Sequence, residues 1–510
     1  MDGRTPYGGR LLARVALAVV LTTVPALAAP APALPQSCES WVAPPPVGSD
    51  ANPGTFAQPW ATLDFASAQV LARGGSNCTV WARDGTYSGE QDLEERFPTP
   101  TTFKALTPYK AVLENSGTVL EVSGAQNMIF EGFEFRHSGP GAGVLVVQVR
   151  RSDSLWSENI TFRDNIFHDS YNNDLLKIYD GARFVTVANN LFYNQGANEE
   201  HMDVNSVTDV TIQDNIFFND FAGSGRIDPG DTKAFIVIKD SNESADGLEG
   251  SERITVRRNI FLNWEGDSEP FVQIGNDGKP YHEAEDVWLE NNLMIGNALN
   301  EMNAALAVSG AKNITFANNT VVGDLPAWAY AFRISIKRDN PQNENIYFYN
   351  NIWSDPTGTM GAGPSSGSNE FSDGDPTQTD NLILDNNLYW NGGTATPPGD
   401  LVSPLVDDPR RVVADPLLNP DQASILLPRW NGSAFLSGSS SIRQEFERLV
   451  NLYGAIPYAS QARDKADPAF VPVDDILGRP RTAAPDLGAY EYAVTADVQL
   501  YLPLVIKDAP

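Results

Sequence analysis

The sequence predicts an all-β protein, a right-handed parallel β-helix, and three observations carry that prediction. The first is a repeated phrase. Asn159-Ile-Thr-Phe-Arg-Asp-Asn-Ile-Phe returns at Phe184 and Asp209, then at Arg253, Asp286, Asn313, Asn345 and Asn381. Its period-two alternation is that of a strand with one buried face. The second is a column made by the seventh residue of each copy: Asn165, Asn190, Asn215, Asn259, Asn292, Asn319, Asn351 and Asn387. The third is the spacing of that column, 25, 25, 44, 33, 27, 32 and 36 residues. A strand unit recurring every ~20–50 residues builds a solenoid. Coils near 25 residues leave room for several short strands and turns, and the longer intervals are one coil plus a loop. Coils stack ~4.8 Å apart, so amides in one column can bond rung to rung. The column is therefore read as architecture. A diverged copy starts at Asn127, with Phe133 in the Asn position.

Composition sets bounds. The chain has 510 residues, a formal charge of −30, four His and two Cys. That charge argues against nucleic acid and against an anionic membrane as partners, while leaving room for a local basic patch. Scarce histidine argues against a multi-His metal centre.

The N-terminus reads as a signal peptide over residues 1–29. Arg4, Arg10 and Arg14 precede an apolar run from Val15 to Val24 and small residues at Ala28-Ala29. The run is too short to span a bilayer. Residues 30–47 are Pro-rich and read as a linker. Residues 48–101 form a cap and first coil, with a helix from Ala61 to Leu71 presenting Leu63, Ala66, Val70 and Leu71 on one face. A solenoid end needs such a cap to cover apolar surface and strand edges. Behind a secretory leader, Cys38 and Cys78 are read as a disulfide stapling cap to coil. The β-helix proper spans 102–393, with 361–380 as a Gly/Ser/Asp-rich surface loop. Residues 394–492 close the solenoid, with a short helix from Arg443 to Asn451. The apolar tail, 493–510, is too short to span a membrane; it is read either as a last strand or as a sorting or anchoring signal.

The segment Gly48-Ser-Asp-Ala-Asn-Pro-Gly-Thr, with Val80-Trp-Ala-Arg-Asp-Gly-Thr-Tyr87, resembles the opening of secreted bacterial right-handed β-helix proteins. Asp474-Asp-Ile-Leu-Gly-Arg-Pro-Arg481, followed by Asp486-Leu-Gly-Ala-Tyr-Glu491, is similar to the closing motif of those with a choice-of-anchor terminal region. The departure is at Ser439-Ser-Ser-Ile-Arg443, where such proteins carry Ser-Pro-Ala-Ile-Asp. The resemblance implies a pectate-lyase-like solenoid and a secreted or cell-surface location; a monomer is expected.

Chemistry is expected on the strand before each phrase, because every second side chain there faces outward. The outer face reads Glu121, then Gln148 and Arg150, Lys177 and Tyr179, His201, Asp203 and Asn205, Lys239, and Gln273. Polar residues are densest between Asn172 and Lys239, where Arg226, Asp228, Asp231 and Lys233 lie in the loop behind the 44-residue interval. Carboxylates beside Lys or Arg suit β-elimination from an acidic polysaccharide. Asp174, Asp203 and Glu200 are the expected Ca²⁺ ligands, oxygen donors of the kind that ion takes. Lys177 is the expected base, with His201 beside it. Arg226 or Lys239 would neutralise the uronate, and Arg150, Tyr179 and Asn205 would bind substrate. No cofactor other than Ca²⁺ is expected. The segment Asn173-Asp-Leu-Leu-Lys-Ile178 is broadly similar to the pectate-lyase pattern of an acidic residue before the strand, without that family's Trp-Ile-Asp-His or Arg-x-Pro-x-x-Arg motifs. A glycoside hydrolase would need clustered Asp on adjacent rungs, for which only Asp174 with Asp203 qualifies. The competing expectation is a non-catalytic surface or adhesion protein.

Bland readings stand beside these. Glu199 and Glu200 are plain loop charge, Arg257-Arg258 and Lys337-Arg338 solvated edges, and His137 and His168 turn residues. Trp156, Trp264, Trp328 and Trp353 are sugar platforms if exposed and packing residues if not.

Overall fold

The computed structural model describes residues 38–196, 198–226, 232–298, 300–361, 370–374, 376–395 and 406–492. The leader at 1–29, Asp228, Asp231 and the tail at 493–510 lie outside the described residues.

The fold is a right-handed parallel β-helix. Three parallel sheets run its length, and each strand bonds to its counterpart on the next coil. Sheet one has twelve strands, from Cys38–Val42 to Thr379–Asp385. It takes the first residues of every phrase, with Ile160, Val185, Val210 and Ile254 in register inside and Thr161, Thr186, Thr211 and Thr255 outside. Sheet two, also of twelve strands, takes the Ile-Phe end of each phrase. Sheet three has ten short strands, from Gln91–Leu93 to Glu370–Gly374, and lies just ahead of the phrase in sequence.

Asn and Asp turn the chain between the sheets. The first and sixth residues of the phrase are left-handed, as at Asn159 (φ 55°) and Asp164 (φ 57°), a region these two side chains tolerate. The seventh residue is the buried Asn. Asn165 Nδ2 donates to Asn190 Oδ1 (3.1 Å), Asn190 Nδ2 to Asn215 Oδ1 (3.0 Å), and Asn215 Nδ2 to Asn259 Oδ1 (3.0 Å). The ladder continues to Asn387, whose Nδ2 donates to Asp408 Oδ2 at 2.8 Å. At its start, the Phe133 backbone N–H donates to Asn165 Oδ1 at 2.9 Å, so the diverged copy opens the ladder instead of breaking it. Beside it, rings of Phe135, Phe167, Phe192, Phe217 and Phe261 stack through the interior at 4.6–5.2 Å.

The helix Leu63–Ala72 caps the N-terminal end. Thr62 accepts from Phe65 N, and Leu63, Ala66 and Val70 are buried as their spacing predicts. The Cys38–Cys78 disulfide is present. Ser441 caps a second helix, Ile442–Leu449. No helix among the described residues is long and apolar enough to cross a membrane.

Several sequence expectations change. Cys38–Val42, inside the expected linker, is the first strand of sheet one, because its alternation pairs it with Cys78–Ala82. Winding thus starts well before residue 102. Glu370–Gly374, inside the expected loop, is a strand of sheet three held by buried Phe371. Arg257 and Arg258 are not solvated edges. Arg258 grips Asp214 (2.7 Å) and Asp474 (2.6 Å), and Arg257 also pairs with Asp474, so the closing region covers them. His137 and His168 are buried strand residues.

Candidate functional site

The outer face of sheet three gathers the charged residues on three consecutive coils. Leu176–Tyr179 buries Leu176 and Ile178 and turns Lys177 and Tyr179 outward. Met202–Asn205 turns Asp203 and Asn205 outward, and Ile236–Lys239 presents Lys239. Register aligns Gln148, Lys177, Asp203, Val237 and Gln273 in one column, and Tyr179, Asn205 and Lys239 in the next.

Lys177 Nζ lies 2.6 Å from Asp203 Oδ2 and 3.9 Å from Asp174 Oδ2. Asp174 sits in the turn before its strand, and its Oδ1 accepts the Glu200 backbone N–H at 3.1 Å. One carboxylate oxygen each from Asp174, Glu199 and Glu200 lies within 4.8 Å of the others. Asp174 Oδ2, Glu200 Oε2 and Asp203 Oδ1 are buried without a hydrogen-bond partner. Orphaned buried oxygens are costly. Asp174, Glu199 and Glu200 converge, and Asp174 and Glu200 each carry such an oxygen, so the three are a donor set suited to a hard cation such as Ca²⁺.

The electrostatics follow from this crowding. Burial, reinforced by Asp203 and only partly offset by Lys177, pushes the Asp174 carboxyl up to about 8. Burial and the neighbouring Asp174 push Glu200 well above its ordinary value. Burial alone would lower Lys177, but Asp203 and Asp174 outweigh it and hold the ammonium above the usual lysine range. Lys239 is raised likewise, burial being outweighed by Asp203, Glu200 and Asp277. Its ammonium is held more loosely, 3.4 Å from Asp277 Oδ1.

The expected substrate-binding residues line the same face. Arg150 Nε donates to Glu121 Oε1 (2.8 Å), Gln148 Nε2 to Glu121 Oε2 (2.5 Å) and the Tyr179 hydroxyl to Gln148 Oε1 (2.8 Å). Asn205 brackets Ser241, accepting from its N–H and donating to its Oγ.

Two expected catalytic residues do not join this group. His201 precedes its strand at a corner, so the period-two count fails and the ring turns into the core. It packs 4.5 Å from the Phe235 ring, with Nε2 3.0 Å from the Asn219 side-chain amide. Burial pushes its pKa down to about 3, and it does not reach the outer face. Arg226 is also buried. Its Nη1 donates to Asn194 O (2.7 Å) and Asp169 Oδ1 (3.3 Å), and its guanidinium packs 4.1 Å from the Tyr171 ring. It braces the turn leaving sheet two. Glu199, dismissed as loop charge, is part of the carboxylate cluster. The signal was its 25-residue distance from Asp174, one coil in the evenly spaced region.

No known family model matches the sequence, and no curated protein matches it. Solved structures do. The pectate lyase Pel9A superposes with a TM-score of 0.50 at 14% identity, covering 90% of this chain and 97% of its own. XylC in complex with xylose superposes with a TM-score of 0.48 at 11% identity, covering 89% and 98%. At 14% identity the likeness to Pel9A shows the fold alone.

Proposed function

We propose that this protein is a secreted polysaccharide lyase that cleaves an acidic polysaccharide by cation-assisted β-elimination on the outer face of sheet three. The observation that carries the reading is the cluster of Asp174, Glu199 and Glu200, with its orphaned buried oxygens, between Lys177 and Lys239. The Cys38–Cys78 disulfide supports an oxidising, extracellular setting.

A divalent cation held by Asp174, Glu199 and Glu200 would draw charge from the uronate carboxylate and acidify the C5 proton. Lys177 is pinned between two carboxylates, so its part is to hold Asp203 and Asp174 in place. That leaves Lys239, on the neighbouring column, as the base. Its ammonium first gives a proton to solvent; the neutral amine then takes the C5 proton, the C4–O bond breaks, a C4=C5 double bond forms, and the departing oxygen is reprotonated from solvent. The sequence alone assigns the base to Lys177 and the neutralising of the uronate to Arg226 or Lys239. The Arg150 guanidinium and the Tyr179 and Asn205 side chains hold the flanking sugars.

Ultraviolet absorbance of the unsaturated product, followed on polygalacturonate and alginate with and without Ca²⁺, tests the reading. Absorbance that rises with the wild type and not with Lys239→Ala supports it. Product formation unchanged in Lys239→Ala would sink it. The second reading, non-catalytic glycan binding at a cell surface, is favoured by the charged state of both lysines, since a base must first lose its proton. Binding without product would establish it.

A further inference from the structure

Sheet three carries a second polar feature away from the carboxylates. A cavity of about 410 Å³ opens on its outer face, lined among others by Gln273, Asn303, Trp328, Arg333, Lys337 and Gln378. Trp328 is 42% exposed, a large aromatic surface presented to solvent. The Arg333 guanidinium lies 5.1 Å over its ring, and its Nε is 3.0 Å from Asp373 Oδ2. Lys337 donates to the side chain of Asn276.

The register ties this cavity to the carboxylate cluster. Asp203 pairs with Val237, Val237 with Gln273, Gln273 with Ala307, and Ala307 with Arg333. Arg333 thus stands in the same outward column as Lys177 and Asp203, four rungs past Asp203, or ~19 Å at the rung spacing. A pyranose residue in an extended chain advances by about one rung, ~5 Å, so the interval suits roughly four sugars.

We infer that the cavity at Trp328, Arg333 and Lys337 is a distal subsite for the same acidic polysaccharide. The chain would run parallel to the solenoid axis, with one sugar stacked on Trp328 and its carboxylate met by Arg333 and Lys337. This rests on the proposed function and adds the length of glycan that the protein grips. Charge complementarity argues for an anionic sugar, since two cations line this cavity in a chain of net charge −30. An aromatic face beside a guanidinium fits a ring that carries a carboxylate. Gln273 links the two regions, because it belongs both to the column through Asp203 and to the cavity wall.

A size series of uronic-acid oligomers, from dimer to octamer, prepared from polygalacturonate and from alginate, tests this by calorimetric titration of wild type, Trp328→Ala and Arg333→Ala. The expected result is a variant-to-wild-type Kd ratio that stays near one for dimers and reaches about tenfold beyond roughly four residues. Circular dichroism melting checks that each variant folds, and Trp328→Phe, which keeps an aromatic face, should recover most of the loss. Equal Kd ratios at all lengths, or no change at any length, would overturn the distal subsite while leaving the cleavage site standing. A wild type that binds none of the oligomers would overturn both.

Discussion

Lys177 Nζ sits 2.6 Å from Asp203 Oδ2 on the next rung, and the same ammonium lies 3.9 Å from Asp174 on its own turn. One cation therefore bridges two coils at the centre of the outer face. In the proposed mechanism its role is electrostatic, and proton abstraction falls to Lys239.

The two lysines should separate in kinetics. Lys239→Ala should lower kcat by on the order of 10³, and it should also cost stability, because the Lys239 ammonium offsets Asp203, Glu200 and Asp277. Lys177→Met should lower stability by about 3 kcal/mol, because it leaves Asp203 charged and buried without its partner. Steady-state rates and urea unfolding of the two variants check this, and the reverse pattern would restore Lys177 as the base.

Cation binding should release protons. With Asp174 raised to about 8, the ion-free folded chain holds a proton that the unfolded chain has lost above 3.8. The unfolded state then binds fewer protons, so ion-free stability falls as pH rises from 3.8 through about 8. Ca²⁺ must displace that proton, so its affinity should climb across the same window. Calorimetry in buffers of different ionisation enthalpy reads the proton release, and Asp174→Asn should reduce it, the share of Glu200 remaining.

The Asn ladder should be costly to break. Asn215→Ala removes the acceptor of the Asn190 N–H and Nδ2 and the donor to Asn259, all buried. A loss of roughly 3 kcal/mol is expected in urea unfolding. A loss under ~1 kcal/mol would mean that water replaces the amide.

His168 should make the closing region sensitive to alkali. Burial alone would lower its pKa, but Asp169 at 2.8 Å and Glu134 at 3.2 Å raise it to about 9. Arg136 and Arg226 also face these carboxylates, Tyr193 stacks on the imidazole, and Trp430 Nε1 donates to Glu134 at 3.0 Å. A raised histidine stabilises fully below 6.5 and loses that contribution as pH rises through about 9. Tryptophan fluorescence should report the loosening around Trp430 above that pH, and His168→Gln should remove the pH dependence.

The fold was legible because its signal is periodic. Residues of the type of Ile160, Phe162 and Asn165 recur at the same places in the eight copies from Asn159 to Asn381, and the ladder bonds they imply are present. The site was half legible. Lys177, Asp203, Asn205 and Lys239 follow strand alternation and lie where it puts them. His201 sits one residue before its strand, where the chain corners and alternation no longer applies. Arg226 belongs to an inserted loop, whose direction no repeat can tell. Arg257 and Arg258 looked solvated because Asp474, their partner, is more than two hundred residues away in sequence.

The Asn ladder has a polarity as well as a register. Every amide accepts from the coil before it and donates to the coil after it, so the side-chain dipoles all point one way, as peptide dipoles do in a helix. The negative end meets the Phe133 N–H, and the positive end meets the Asp408 carboxylate. Asp408 is thus a counter-charge at the end of a long electrical axis. A coil grafted beyond Asn387 would have to carry an Asn there and move the anion outward by one rung.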